Sequence, residues 1–247
     1  MLIAILTDIH ANREALAACL AHAEERNAQR FAFLGDLVGY GADPGWVVDT
    51  VSEYVERGAF AVLGNHDAAV TQAPSKHMNP QAREVVEWTR AQLNEKQLKF
   101  LEWLPLTHEW NNCLFVHASA AEPRNWEYVT GTLEAIKSMY ATRCRITFVG
   151  HVHEPALYNL SPTGKVSSFV PTGDSSIPLG TQRRWLVIPG SVGQPRDGNP
   201  AACYALFDDV THELIYFRVP YDYETTAAKI RSAGLPQSIG NRLEIGR

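Results

Sequence analysis

One α/β domain, built of two packed sheets flanked by helices, is the fold class that this sequence predicts. Three observations carry it. The opening of the chain alternates short apolar runs with helix-spaced segments, which favours parallel strands joined by crossover helices. From about residue 146 onward the pattern is mainly one of short β runs. No linker, low-complexity tract or fixed-period repeat divides the 247 residues (1–247), a length that single α/β domains often reach.

The elements follow in order. Residues 2–6 are continuously apolar, as expected for a strand buried on both faces. Asn12 is placed to cap a helix in which Leu16, Leu20 and Ala23 share one face. A strand at 31–34, a helix over 44–56 with proline in its first turn, and a strand at 60–63 complete a β-α-β-α-β opening. Between 80 and 103 the residues Val85, Val86, Trp88, Leu93, Leu98, Leu101 and Trp103 recur at three and four, and Pro105 ends that helical segment. Runs at 107–110 and 113–116 around Asn111-Asn112 form a hairpin pattern. A helix over 132–141 leads to a strand at 146–149. Strands are expected at 156–160, 166–170, 185–188, 203–207 and 214–219, and a last helix from Tyr223.

Composition excludes several classes. The apolar run at 2–6 has no basic flank and is too short for a signal peptide, and no stretch approaches the ~18 apolar residues of a membrane span. Cys19, Cys113, Cys144 and Cys203 lack the C-x-x-C spacing of a zinc or redox site, so reduced core thiols in a cytoplasmic protein are expected. A net charge of -5 argues against a nucleic acid polymer as partner.

The informative fact is where Asp, Asn and His fall. The first strand runs into Asp8-Ile9-His10, the second into Gly35-Asp36 and the third into Gly64-Asn65-His66-Asp67. Two later strands run into His117 and into Gly150-His151-Val152-His153. A single Asp after a strand is usually a turn or cap residue. Five strands delivering such groups past their C-terminal ends is a different matter, since ligands bind at that edge of an α/β sheet. Two carboxylates, one amide and four imidazoles, with no thiolate, suit Mn, Fe, Zn, Co or Ni better than Ca or Mg. Seven side chains exceed the needs of one ion, so two ions sharing a carboxylate, about 3.5–4 Å apart, are expected. A water bridging such ions loses a proton near neutral pH and becomes a nucleophile for phosphorus, whose oxygens the ions neutralise.

The order D-x-H, G-D, G-N-H-D, H, G-H-x-H resembles the calcineurin-like metallophosphoesterase superfamily, over blocks from Asp8 to His153. The resemblance implies a four-layer α/β/β/α sandwich of two mixed sheets, completed by the β-rich remainder. It implies one ion on Asp8, His10, Asp36 and His153, and a second on Asp36, Asn65, His117 and His151, with Asp36 bridging. His66 would protonate the leaving-group oxygen, Asp67 would orient its ring, and Asn65 would also face the substrate. The segments Gly35-Asp36-Leu37-Val38-Gly39-Tyr40-Gly41, Asn79-Pro80-Gln81-Ala82-Arg83 and Pro189-Gly190-Ser191-Val192-Gly193-Gln194-Pro195-Arg196 look like a bacterial subgroup of diadenosine tetraphosphatase-related phosphoesterases. Thr7 and Ala11 stand where the superfamily often has Ser and Gly.

The expected activity is hydrolysis of a small phosphomonoester, phosphodiester or nucleotide anhydride. A non-catalytic scaffold on the same fold and a protein Ser/Thr phosphatase are the competing readings. Arg196, in a glycine-containing loop, is suited to grip the substrate phosphate, against the alternative of an ordinary surface loop with Arg196 paired to Asp197. His22, His77 and His212 sit in polar surroundings and are expected at the surface. His108 is set aside, and the six tryptophans are expected in the core, with Trp126 the one in a loop after His117.

Overall fold

The computed structural model describes residues 1–72 and 80–247. Two six-stranded mixed sheets pack face to face. The first holds β1 (Leu2–Leu6), β2 (Arg30–Phe33), β3 (Phe60–Ala61), β9 (Ile177–Pro178), β11 (Ala202–Asp208) and β12 (Glu213–Val219), in the order β3-β2-β1-β11-β12-β9. The second holds β4 (Thr107–Trp110), β5 (Cys113–Val116), β6 (Ile146–Val149), β7 (Ala156–Leu160), β8 (Val166–Phe169) and β10 (Arg184–Ile188), in the order β4-β5-β6-β10-β7-β8. β1, β2 and β3 are parallel neighbours, as are β5, β6 and β10.

Strand burial explains the apolar runs. In β1, Ile3 and Ile5 face the second sheet, while Ala4 and Leu6 face the helices α1 (Arg13–Glu25) and α2 (Pro44–Glu56), so no position is left for a polar side chain. Between the sheets Phe115 and Phe148 stack at 4.9 Å, and Phe148 meets Phe207 of the first sheet at 5.3 Å. On the outer face of the second sheet, Val116, Val149 and Leu186 pack on Ala135 and Met139 of α6 (Thr132–Tyr140). The architecture is the α/β/β/α sandwich that the sequence predicts.

Several elements depart from expectation. Gly64-Asn65-His66-Asp67, expected just past the third strand, opens a helix, α3 (Asn65–Thr71), that the sequence did not signal. The helical segment from 80 to 103 is two helices, α4 (Pro80–Gln92) and α5 (Glu95–Trp103). Asn94 breaks them: its side chain accepts from the Gln97 amide while the Gln97 side chain accepts from the Asn94 amide, a capping box that starts a new helix. The strand β3 is shorter than expected, and β9 has too few residues to show a pattern. The C-terminal helix α7 (Tyr223–Ser232) is followed by a second, α8 (Gln237–Ile245), and both pack on Val85 of α4. Trp103, expected in the core, is 84% exposed. His77 and residue Asn79 of the Asn79–Arg83 segment lie outside the described residues.

Candidate metal centre

The parallel pairing of β1 with β2, and of β5 with β6, sends the loops that follow these strands to one place. Asp8 and His10 follow β1, Asp36 follows β2, Asn65 opens α3, His117 follows β5, and His151 and His153 follow β6. Their ligand atoms form two buried groups, each within 4.8 Å: Asp8, His10, Asp36 and His153 in one, Asp36, His117 and His151 in the other. Asp36 belongs to both. Its Oδ2 lies 3.7 Å from His10 Nε2 and 3.4 Å from His117 Nε2. Asn65 Oδ1 joins the second group, 3.1 Å from His117 Nε2. All seven side chains expected as ligands are therefore brought together.

The donor set fits divalent cations. His10 Nδ1 faces the Val38 carbonyl at 3.2 Å, His117 Nδ1 the Leu34 carbonyl at 2.7 Å, and His153 Nδ1 the Gln194 carbonyl at 2.7 Å. A carbonyl only accepts, so each Nδ1 carries a proton and each Nε2 is the ring nitrogen turned inward. His10 Nε2 and His153 Nε2 thereby face each other at 3.2 Å, and His117 Nε2 faces His151 Nδ1 at the same distance. Two ring nitrogens held at that distance need a proton or a cation between them. Such an arrangement suits imidazole-binding ions of the Mn, Fe, Co and Zn group.

The backbone is strained to make this possible. Asp8, His10, Asp36, His151 and His153 all adopt positive φ, between 50° and 69°. Non-glycine residues there are costly, and surrounding structure must impose them. Ala11, where glycine is common in the superfamily, also sits at φ 52°. The imposing contacts are close: a Cβ on Gly64 would lie 2.1 Å from the Asp36 amide nitrogen, and one on Gly193 would lie 1.8 Å from the Ile9 carbonyl oxygen. Asp8 is further held by the Thr7 hydroxyl at 2.8 Å and the His151 amide at 3.0 Å. Asn12 caps α1 through Oδ1 and donates through Nδ2 to the Gly193 carbonyl, tying the loop after β10 to the loop after β1.

Charge is distributed unequally. Burial disfavours ionised Asp8, yet the His153 ring holds its carboxyl well below the usual range. Burial likewise opposes ionisation of Asp36, yet His117 and His66 hold its carboxyl far down. Burial keeps His10 neutral, and burial with the nearby His117 pushes His151 down to about 4. His117 goes the other way: against burial, Asp36 and Asp8 hold its ring charged up to about 9. The two carboxylates are thus ready for cations, and one imidazole must give up a proton to become a ligand.

Around this centre stand His66, Tyr40 and Arg196. His66 donates its amide to Asp36 Oδ1 at 2.9 Å, and its ring lies edge-on to His10 with centroids 5.0 Å apart. Tyr40 tilts over both rings, at 4.7 Å from His10 and 4.5 Å from His66. Gly39, at φ 89°, lets the chain pass so close that a Cβ there would meet His66 Nδ1 at 2.6 Å. Arg196 is half-buried and donates to Gln194 Oε1 at 3.1 Å, while its Nε is buried with no hydrogen-bond partner. Asp197, the partner expected for it in a surface loop, pairs instead with Arg218.

The sequence and the fold, taken whole, are matched among known proteins. Residues 1–212 match the model of the calcineurin-like phosphoesterase superfamily domain. The chain belongs to that superfamily. It is 35% identical, over 251 residues, to an uncharacterized protein of Methanocaldococcus jannaschii, covering 100% of this chain and 98% of that one. It is similar to the crystal structure of a metallophosphoesterase from Sphaerobacter thermophilus, with a TM-score of 0.89, 35% identity and coverage of 100% and 99%. A hypothetical protein from Pyrococcus horikoshii OT3 shares the fold, with a TM-score of 0.81 at 19% identity over 100% and 98% of the two chains.

Within this phosphoesterase fold one expected role changes. Asp67 does not orient the His66 ring. Its Oδ1 accepts from the Val38 amide at 3.1 Å and its Oδ2 from the Gly64 amide at 3.0 Å, so it fastens the loop after β2 to the start of α3. The ring of His66 is held instead between Tyr40 and His10. Tyr40 gave no signal of its own in the sequence beyond its place after Gly39. Tyr128 was missed for the same reason: its ring stacks on His151 with centroids 3.9 Å apart, from a loop without periodicity. His22, expected in solvent, is half-buried, with Nδ1 2.7 Å from the Tyr204 hydroxyl. His108 stacks on Phe60 at 4.2 Å and belongs to the hairpin rather than the centre.

Proposed function

We propose that this protein is a metal-dependent hydrolase of small phosphate esters that works with two divalent transition-metal ions, Mn foremost. One observation carries the reading: two buried ligand groups share Asp36, with the His66 ring beside them. Asp8, His10, Asp36 and His153 would hold one ion, and Asp36, Asn65, His117 and His151 the other. Bound there, such ions neutralise phosphate oxygens and acidify a coordinated water.

The remaining work falls to side chains of the chain itself. His66, whose proton burial makes easier to release, would take a proton from solvent and pass it to the departing ester oxygen, returning to the neutral ring. Tyr40 limits the rotation of that ring. Arg196, with Nε still lacking an acceptor, offers a planar group to a substrate phosphate oxygen. Asn65 contributes its amide at the same edge. Four buried free cysteines accord with a reducing, cytoplasmic setting, and among the described residues no helix is long and apolar enough to cross a membrane.

The test is removal and return of metal. Protein stripped with chelator should lose turnover of p-nitrophenyl mono- and diesters and dinucleotide polyphosphates, with Mn or Co restoring it best among Mn, Co, Zn and Mg. Full turnover by protein that metal analysis shows to be empty would sink the two-ion mechanism. Metal binding without turnover of any ester, phosphopeptides included, would favour a scaffold. Turnover of phosphopeptides alone would favour a protein phosphatase.

A further inference from the structure

The loop between β5 and α6 carries two aromatic rings onto the second ligand group. Tyr128 lies nearly parallel to the His151 ring, at 3.9 Å and 18°, and Trp126 stands edge-on to His117 at 5.9 Å. The loop is built rather than loose. Ser119 donates its amide to the Glu127 carbonyl, a short 3-10 turn at Pro123–Asn125 lies between Glu122 and Trp126, both of positive φ, and Val129 is buried beneath. These constraints fix a large ring that burial alone does not explain, since Tyr128 remains 50% exposed.

With one face on a ligand histidine and half its surface open, Tyr128 is placed as a floor for a planar group. We propose that Tyr128, with Trp126 beside it, forms a stacking subsite for a flat aromatic ring, a nucleobase or aryl group, carried by the ester on the side of His117 and His151. Resting on the phosphoesterase reading above, this assigns the substrate class as esters of nucleosides or aryl alcohols rather than of simple alkyl alcohols. Stacking tolerates any base, because every base offers a π face, so discrimination would lie between flat and non-flat groups. The subsite holds no part of the ligand set, and its contribution should fall on binding.

Two p-nitrophenyl diesters with the same leaving group separate the effects: thymidine 5′-(p-nitrophenyl phosphate) and ethyl p-nitrophenyl phosphate. The Mn-loaded protein should prefer the nucleoside ester, and Tyr128→Leu should lower that preference by roughly 5- to 100-fold, mainly through KM. Tyr128→Phe should keep it. Calorimetric titration with thymidine 5′-monophosphate and with ethyl phosphate provides a readout that needs no turnover, and the same ordering is expected, with metal content measured in each variant. An equal change for both esters in Tyr128→Leu, or a wild type that binds the two monophosphates alike, overturns the subsite. Tyr128-dependent preference for thymidine monophosphate in a protein that cleaves no ester upholds the subsite and rejects the hydrolase reading.

Discussion

At the scale of residues, the centre is a set of rings whose protons are placed by their neighbours. His66 illustrates how far a single group can be tested. Its ring is wedged between His10 and Tyr40, and its backbone amide donates to Asp36. The variant His66→Asn should therefore fold and retain metal while losing about 10²–10⁴-fold in turnover of esters with alkoxide leaving groups. The loss should shrink for p-nitrophenol, which departs without a proton. Equal losses for both substrate types in steady-state assays would mark His66 as structural. Because Asp67 spends both oxygens on backbone amides, its removal should act on folding rather than on protonation of the leaving group.

Elements meet at this centre through glycines, and there the tolerance for side chains is small. Gly64 has an ordinary φ of -100°, so its requirement is space alone: a Cβ would fall 2.1 Å from the Asp36 amide and 2.2 Å from Asp36 Oδ1. Gly64→Ala must push α3 away from the loop after β2. Overpacking of this kind typically costs about 1–3 kcal/mol. For a domain of this size a change of that order lowers Tm by roughly 2–12 °C. The bridging carboxylate moves with it, so metal affinity should fall as well. Gly180→Ala is the control, because nothing lies within 4 Å of its added Cβ. Thermal unfolding and metal titration of the two variants check this; equal behaviour of both would show that the loop yields without cost.

For the whole molecule, the charge of the centre couples metal binding to pH. Asp36 and Asp8 raise the His117 pKa from 6.5 to about 9 in the metal-free fold. The stability linked to this proton is fully present below pH 6.5 and is lost as pH rises through about 9. Metal-free protein should therefore lose Tm between pH 7 and 9. Over the same window metal affinity should rise, because the ring must shed its proton to bind an ion. Unfolding curves and metal titrations at several pH values, with His117→Asn alongside, test the coupling. A slope that persists in the variant would assign it elsewhere.

By itself the sequence determined the strands, the helices with strong periodicity and the seven candidate ligands. These are local matters: a run such as Leu2–Leu6 has no polar position because both faces of the strand are covered, and metal-binding residue types just past strand ends are visible in linear order. The hairpin of β4 and β5 was equally plain from its Asn111-Asn112 turn, both residues of which take positive φ. What only the tertiary structure decided is which groups touch. Asp67 accepts from the Val38 and Gly64 amides, Arg196 leaves Asp197 to Arg218, and Tyr128 reaches His151 from a loop with no pattern. Each choice depends on loop backbones crossing at distances set by Gly64 and Gly193, between segments up to 184 residues apart, and periodicity holds no information about such crossings.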